Sequence, residues 1–200
     1  GNVVYEPHFT YHGFRYVEVT GYPGEPDLEA LTGLVVHNDL PHTGTFECSN
    51  PMVNQLWQNI LWGQRGNFVS IPTDCPQRDE RLGWSGDAQI FCRTSSFNMD
   101  VSTFFEKWID DVVDAQTPDG AFTDVAPQIQ GLGKAAPAWG DAGIIVPWTL
   151  YRVYGDKRLI EKHYEAMQAW MQYIEEANPL LLRTKRLNAN YSDWVSLEGG

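Results

Sequence analysis

The first 47 residues alternate between short apolar clusters and turn-forming residues. The clusters are rich in Val, Thr, Tyr and Phe, which favour extended backbone, and Gly-Pro groups such as Gly21-Tyr22-Pro23-Gly24 separate them. The partial alternation of apolar and polar positions is typical of half-buried antiparallel strands. We therefore predict the closing strands of a β-sandwich that begins upstream. The predicted strands cover residues 3–5, 9–11, 14–20, 31–37 and 43–46.

The pattern changes at Ser49-Asn50-Pro51, where a capping residue is followed by proline, a combination that predicts a helix start. The apolar positions that follow recur at helical spacing: Val53, Leu56, Trp57, Ile60 and Leu61. Four further helices are predicted at residues 87–98, 101–115, 140–154 and 157–176. Asp100 is expected to cap the second of these four, and the polar stretch 116–138 is predicted to be a long loop of the kind that is often functional.

A short motif containing Trp and Asp occurs three times, each time where a helix is predicted to begin. Its copies read Trp84-Ser85-Gly86-Asp87-Ala88, Trp139-Gly140-Asp141-Ala142 and Ser192-Asp193-Trp194. The three aspartates are 54 and 52 positions apart, and each interval holds two predicted helices. This period indicates stacked helical hairpins, which form an α/α toroid if they close into a ring. The toroid would gather the helix N-termini at one end; alternatively, each Asp is only a helix N-cap.

Composition narrows the classes of partner. The formal net charge is −12 and there is no basic run, which argues against nucleic acid and anionic membranes as partners. There is no apolar run long enough for a transmembrane helix and no leader pattern at Gly1. We expect the chain to be a piece of a longer protein, and we therefore assign no compartment. The three cysteines and five histidines show no metal-binding spacing, so neither metal nor cofactor is expected. A homo-oligomer is compatible with the sequence.

The strongest candidate for a site is the stretch 71–89. It places Asp74, Asp79, Glu80 and Asp87 beside Arg78 and Arg81, and its prolines and glycines prevent one regular helix. Charged residues on a loop between apolar segments indicate a site. The alternative is a set of solvated surface ion pairs, which contribute little to stability.

Paired carboxylates of this kind suit glycoside hydrolysis. The reaction needs one protonated carboxylic acid at the leaving oxygen and a second carboxylate on the other face of the sugar. Glu80 is the candidate general acid, because it has the longer reach and neighbouring acids discourage its ionisation. At least one arginine is then expected to pair with Asp74 or Asp87, and Asp79 is expected to be structural, holding Arg81 or capping the loop.

The stretches Asp74-Cys75-Pro76-Gln77-Arg78-Asp79-Glu80-Arg81-Leu82-Gly83-Trp84 and Gly86-Asp87-Ala88-Gln89 resemble the signature of the bacterial α-L-rhamnosidases, glycoside hydrolase family 78. The resemblance implies a chain that is mainly α with an N-terminal β segment. Residues 1–47 would end a β-sandwich domain, and residues 48–200 would form the first half of an (α/α)6-barrel catalytic domain.

The same resemblance implies an inverting enzyme that releases terminal α-L-rhamnose from a rhamnosylated glycoside or polysaccharide. Glu80 corresponds to its general acid. The general base would lie beyond residue 200, so these 200 residues alone should be inactive. The positions that would bind the sugar are Asp74, Arg78, Trp84, Asp87, Trp139, Asp193 and Trp194.

Three other interpretations stay open on the sequence. One is a relative that binds carbohydrate without cleaving it, and another is an α/α-toroid glycosidase for a different sugar. A helical-repeat interaction module is the third, and it predicts no pocket among Asp74, Arg78, Glu80 and Asp87.

Overall fold

The computed structural model describes residues 3–184 and residue 191. The described part is mainly helical. In chain order its elements are α1 (Pro51–Asn67), β1 (Phe68–Val69), β2 (Ile71–Pro72), α2 (Ser85–Asn98), α3 (Ser102–Asp114), α4 (Ala142–Tyr154) and α5 (Arg158–Ala177). The two short strands form an antiparallel hairpin that leads from α1 towards the acidic loop.

The five strands predicted in the first 47 residues do not form among the described residues. A strand is stable only when a neighbouring strand pairs with its N–H and C=O groups. Residues 3–47 have no strand partner here; their one bridge joins His42 to Met99. Every residue from 3 to 37 is exposed except Tyr11. The β propensity of the segment is therefore not expressed in the described structure.

Helix starts and stops follow the local sequence signals closely. The Asn50 side chain accepts a hydrogen bond from the Met52 N–H at 3.0 Å, which confirms the predicted start of α1. The carboxylate of Asp100 accepts from the Ser102 N–H at 3.1 Å, but the N-cap position of α3 is Val101, one residue later than predicted. Gly155 ends α4 with a left-handed φ of 72°, a conformation that glycine adopts without strain.

The four helices after the acidic loop follow one another as two pairs, α2–α3 and α4–α5, and the helices of the second pair pack against each other. Helix α2 packs against α4, and α3 packs against both α4 and α5. The buried face of α2 consists largely of small residues such as Ser85, Gly86 and Ala88, which allow a close approach to α4. Helix α3 instead supplies bulky side chains to the core, with Phe105 and Trp108 fully buried. Two helix pairs thus match the predicted repeat, while the third copy of the motif, Asp193-Trp194, lies outside the described residues.

The loop that joins α3 to α4 was predicted correctly as a long connection, but its central part is buried. Residues 120–126 are all buried, and they pass beneath the N-terminal end of α2. The Asp124 carbonyl accepts hydrogen bonds from the Ser85 N–H at 3.0 Å and the Ser85 hydroxyl at 2.9 Å. The loop therefore supports the turn from which α2 begins. Within the described residues, no helix is long and apolar enough to cross a membrane.

Candidate functional site

The acidic loop between β2 and α2 is closed by two hydrogen bonds between the residues at its ends, Asp74 and Leu82. The Asp74 N–H donates to the Leu82 carbonyl at 3.1 Å, and the Leu82 N–H donates to the Asp74 carboxylate at 3.2 Å. Residues 75–81 are thereby gathered into one compact turn. Because Asp74 is used to close it, the Asp74 carboxylate lies beside the residues of the turn rather than in bulk solvent.

Both carboxylate oxygens of Glu80 have hydrogen-bond donors. Arg78 Nη2 lies 2.6 Å from Oε2, and the Trp84 indole N–H donates to Oε1 at 3.0 Å. The Glu80 side chain is 27% exposed. Since a carboxylate with two directional donors has little freedom to rotate, Glu80 is held in one orientation with part of its surface open to solvent.

The expected pairing with Asp74 or Asp87 was wrong. Arg78 bonds Glu80 itself, and among the described residues neither arginine forms an ion pair with Asp74 or Asp87, although Arg81 does lie away from Glu80. The reason is local: the Glu80 N–H donates to the Arg78 carbonyl at 2.9 Å, a tight turn that places the two side chains together. Arg81 lies over the Tyr11 ring, with Cζ 4.1 Å from the ring centroid.

Asp79 does not hold Arg81. It is exposed, and its carboxylate has no hydrogen-bond or ion-pair partner among the described residues. Asp87 lies in the first turn of α2, next to the loop. Partial burial raises the pKa of the Asp87 carboxyl, and the negative charges of Asp74 and Glu80 raise it further.

Two tryptophans of the repeated motif border the same region. Trp84 immediately precedes α2, and Trp139 lies flat against Gly86, where an added Cβ would be 2.6 Å from the indole ring. The Tyr191 ring contacts both, with centroids 5.6 Å from Trp84 and 4.6 Å from Trp139. The Trp139 indole N–H is buried and has no acceptor among the described residues. Sequence reasoning named both tryptophans but not Tyr191; Asp193 and Trp194 lie outside the described residues.

Asp124 is a buried acid that sequence reasoning also missed. One of its oxygens accepts from the Ala136 N–H at 3.0 Å, and the other accepts from the Tyr191 hydroxyl at 3.0 Å. Burial raises the pKa of Asp124, and burial together with the Asp124 charge raises the pKa of Tyr191 to about 12. The loop sequence gave no sign of this role, because the burial comes from contacts with α2 and the segment before α4.

Asp141, which occupies the position of Asp87 in the second copy of the motif, has a different environment. Its carboxylate accepts from the Ala138 N–H at 2.9 Å and forms an ion pair with Arg183 at 3.1 Å. Asp141 occupies the N-cap position of α4, as the N-cap alternative predicted, but its side chain makes no capping bond to that helix. Asp141 ties the end of the 116–138 loop to the segment after α5.

In the part of the chain that the structure describes, one group of side chains has atoms close enough for a shared metal ion: those of Asp74, Cys75 and Glu80 lie within 4.8 Å of one another. The group is a poor fit to a metal. Burial, followed by a hydrogen bond with Asp74, raises the pKa of Cys75 and keeps the thiol neutral, whereas metals bind the thiolate. Both oxygens of Glu80 are already engaged by N–H donors.

Comparison with known proteins identifies the relatives of this chain. Residues 41–200 match the family model of the bacterial alpha-L-rhamnosidase 6 hairpin glycosidase domain, and residues 1–37 match that of the bacterial alpha-L-rhamnosidase concanavalin-like domain. An alpha-L-rhamnosidase of Streptomyces avermitilis is 50% identical over 98% of this chain, which covers 19% of that protein. One from Formosa agariphila is 40% identical over 98% of the chain and 21% of that protein.

Solved structures give the same result. The crystal structure of Streptomyces avermitilis alpha-L-rhamnosidase complexed with L-rhamnose superposes with a TM-score of 0.89 at 52% identity, over 95% of this chain and 18% of that one. An alpha-L-rhamnosidase structure from Dictyoglumus thermophilum superposes with a TM-score of 0.84 at 48% identity, over 88% of this chain and 20% of that one. The chain thus spans about a fifth of the length of these relatives. It belongs to the bacterial α-L-rhamnosidase family and carries part of the six-hairpin glycosidase domain.

Proposed function

We propose that the protein is an inverting glycoside hydrolase that removes terminal α-L-rhamnose, with Glu80 as the general acid. The observation that carries the proposal is the setting of Glu80, whose carboxylate is oriented by Trp84 and Arg78 and stays partly open to solvent. A general acid must reach the leaving oxygen in a fixed geometry. The choice of rhamnose as the sugar rests on the relatives that are named alpha-L-rhamnosidase.

In the proposed reaction Glu80 donates its proton to the glycosidic oxygen as the bond between that oxygen and the anomeric carbon breaks. A water molecule attacks the anomeric carbon from the opposite face, and a second carboxylate takes the proton that this water loses. That base is proposed to lie outside these 200 residues. The 200-residue chain by itself should therefore not hydrolyse rhamnosides, and turnover by it would contradict this placement of the base.

The other acids and the aromatic residues are proposed to bind the sugar. Vicinal hydroxyls both donate and accept hydrogen bonds, so the carboxylates of Asp74 and Asp87 and the guanidinium of Arg78 are suitable partners. The rings of Trp84 and Trp139 suit the apolar face and the methyl group of a 6-deoxy sugar. Asp193 and Trp194 are proposed to bind the sugar beside Trp84 and Trp139. This part of the proposal rests on the repeated motif alone. Residues 1–47 and 48–200 are proposed to belong to separate domains.

The Arg78–Glu80 ion pair sets a condition on this mechanism. Arg78 Nη2 occupies one oxygen of the Glu80 carboxylate at 2.6 Å, whereas a general acid must direct an oxygen at the leaving group. The Arg78 side chain is 56% exposed and so has room to turn away. We propose that Arg78 leaves Glu80 when it binds the sugar hydroxyls, which frees that oxygen to reach the glycosidic oxygen.

The same ion pair is the one observation that favours a second function, a relative that binds carbohydrate but does not cleave it. One experiment separates the two. In the full-length protein, Glu80→Gln should lose most activity on rhamnosides of poor leaving groups such as alkyl alcohols, and far less on an activated nitrophenyl rhamnoside, which needs little protonation. Equal loss on both substrates would remove the acid role. L-rhamnose binding without turnover by the unaltered full-length protein would support the second function.

A further inference from the structure

The turn that carries Glu80 is in direct contact with the N-terminal segment. Tyr11 is the one residue between 3 and 37 that is not exposed, and its ring lies beneath the Arg81 guanidinium at 4.1 Å. Two residues later, Gly13 lies against Gln77, where an added Cβ would be 2.8 Å from the Gln77 Cα. The segment therefore touches the turn on both sides of Glu80, once before it and once after it.

Arg81 needs support from outside the turn. Its φ is 54°, in the left-handed region that residues with a Cβ rarely adopt. Its Nε is buried and has no hydrogen-bond partner, and its side chain makes no ion pair among the described residues. Such a conformation persists only when the surroundings fix it. The Tyr11 ring is the group that the Arg81 cation contacts here.

The position of Arg81 in the chain links this contact to Glu80. Arg81 lies between Glu80 and Leu82, and Leu82 is paired with Asp74 by two hydrogen bonds at 3.1 and 3.2 Å. The backbone after Glu80 is thus fixed at Leu82 by hydrogen bonds and at Arg81 by its side chain. A shift of Arg81 would rotate the adjoining peptide and move the Glu80 carboxylate relative to Trp84.

We propose that Tyr11 is a positioning residue for the general acid. By holding the Arg81 guanidinium it keeps the turn in the conformation that points Glu80 at Trp84. The contact of Tyr11 is with Arg81 and not with Glu80 itself. The proposal rests on the proposed function, because it gives Tyr11 an effect on proton donation. It also assigns the N-terminal segment a part in the chemistry, although that segment supplies none of the proposed site residues.

The test uses the full-length protein with two substitutions at one position. Tyr11→Leu removes the aromatic face, and the matched control Tyr11→Phe keeps it. We expect Tyr11→Leu to lower kcat on an alkyl rhamnoside by roughly threefold to thirtyfold, the range expected for loss of a cation–π contact. The loss on a nitrophenyl rhamnoside should be smaller, and KM and the Kd for L-rhamnose should stay within about twofold. Tyr11→Phe should match the unaltered protein.

Two outcomes would overturn the proposal: equal behaviour of Tyr11→Leu and Tyr11→Phe, or equal loss on both substrates. If Tyr11→Leu does not fold, Arg81→Met removes the same contact from the other side, and it should show the same dependence on leaving group. Where both single variants fold, combining them should add little further loss. Glu80→Gln is measured alongside. If it affects both substrates equally, the proposed function fails; if it shows the leaving-group dependence and Tyr11→Leu does not, only the role of Tyr11 fails.

Discussion

The Tyr191 hydroxyl donates a hydrogen bond to the buried carboxylate of Asp124 at 3.0 Å. This bond joins the long loop after α3 to the aromatic ring that contacts both Trp84 and Trp139. It fixes the Tyr191 ring through its hydroxyl group. Asp124, the acid that holds this ring, is therefore distinct from the acids of the 74–87 region.

Removing that hydroxyl should destabilise the protein. Tyr191→Phe leaves one oxygen of the buried Asp124 carboxylate without its donor, which typically costs about 1–3 kcal/mol. The free energy of unfolding of the full-length protein in denaturant measures the effect. Tyr164→Phe is the control, because Tyr164 is exposed and its hydroxyl has no hydrogen bond among the described residues. Equal stability of the two variants would contradict the importance of the Asp124 bond.

Asp124 should also make stability depend on pH. Because burial raises the pKa of Asp124 above its ordinary value of 3.8, the folded state binds its proton more readily than the unfolded state does. The contribution is favourable at low pH and is lost as pH rises through the raised pKa. The stability of the unaltered protein relative to Asp124→Asn should therefore fall as the pH rises above 3.8, the ordinary value for this carboxyl. Unfolding of both proteins at increasing pH tests the sign, and a difference that rises with pH would contradict it.

The contact between Gly86 and Trp139 should not tolerate a methyl group. In Gly86→Ala the new Cβ would lie 2.6 Å from the indole ring, so the ring must move. We expect a loss of about 1–3 kcal/mol in stability from overpacking and weaker binding of L-rhamnose, measured by calorimetry. Gly63→Ala is the matched control in α1, where a Cβ meets nothing within 4 Å. It should be neutral or stabilising by about 0.5–1 kcal/mol.

Loss of the Asp74 charge should weaken sugar binding. Asp74→Asn retains an oxygen that can accept the Leu82 N–H, so the turn should stay closed, but a charged acceptor for a sugar hydroxyl is lost. We expect the inhibition constant of L-rhamnose to rise roughly tenfold or more. Asp79→Asn is the control, since Asp79 is exposed and unpaired among the described residues. An unchanged constant in Asp74→Asn would remove Asp74 from the proposed pocket.

Much of the local structure could be predicted from short stretches of sequence. The Asn50-Pro51 pair and Gly155 mark helix ends through contacts with residues only a few positions away. Glu80 could likewise be singled out, because the composition of the loop around it is unusual. Such patterns depend on residues that are one or two helical turns apart, so they can be recognised without knowledge of the fold.

Other features were decided by contacts between distant parts of the chain. The strands predicted in residues 3–47 depend on partner strands, and none are present among the described residues. Arg81 lies over Tyr11, 70 positions earlier in the chain, and Asp124 accepts a hydrogen bond from Tyr191, 67 positions later. The charge environment of a residue depends on which groups surround it in space. The sequence determined where the helices and the acidic loop lie; only the tertiary structure determined which partner each charged side chain has.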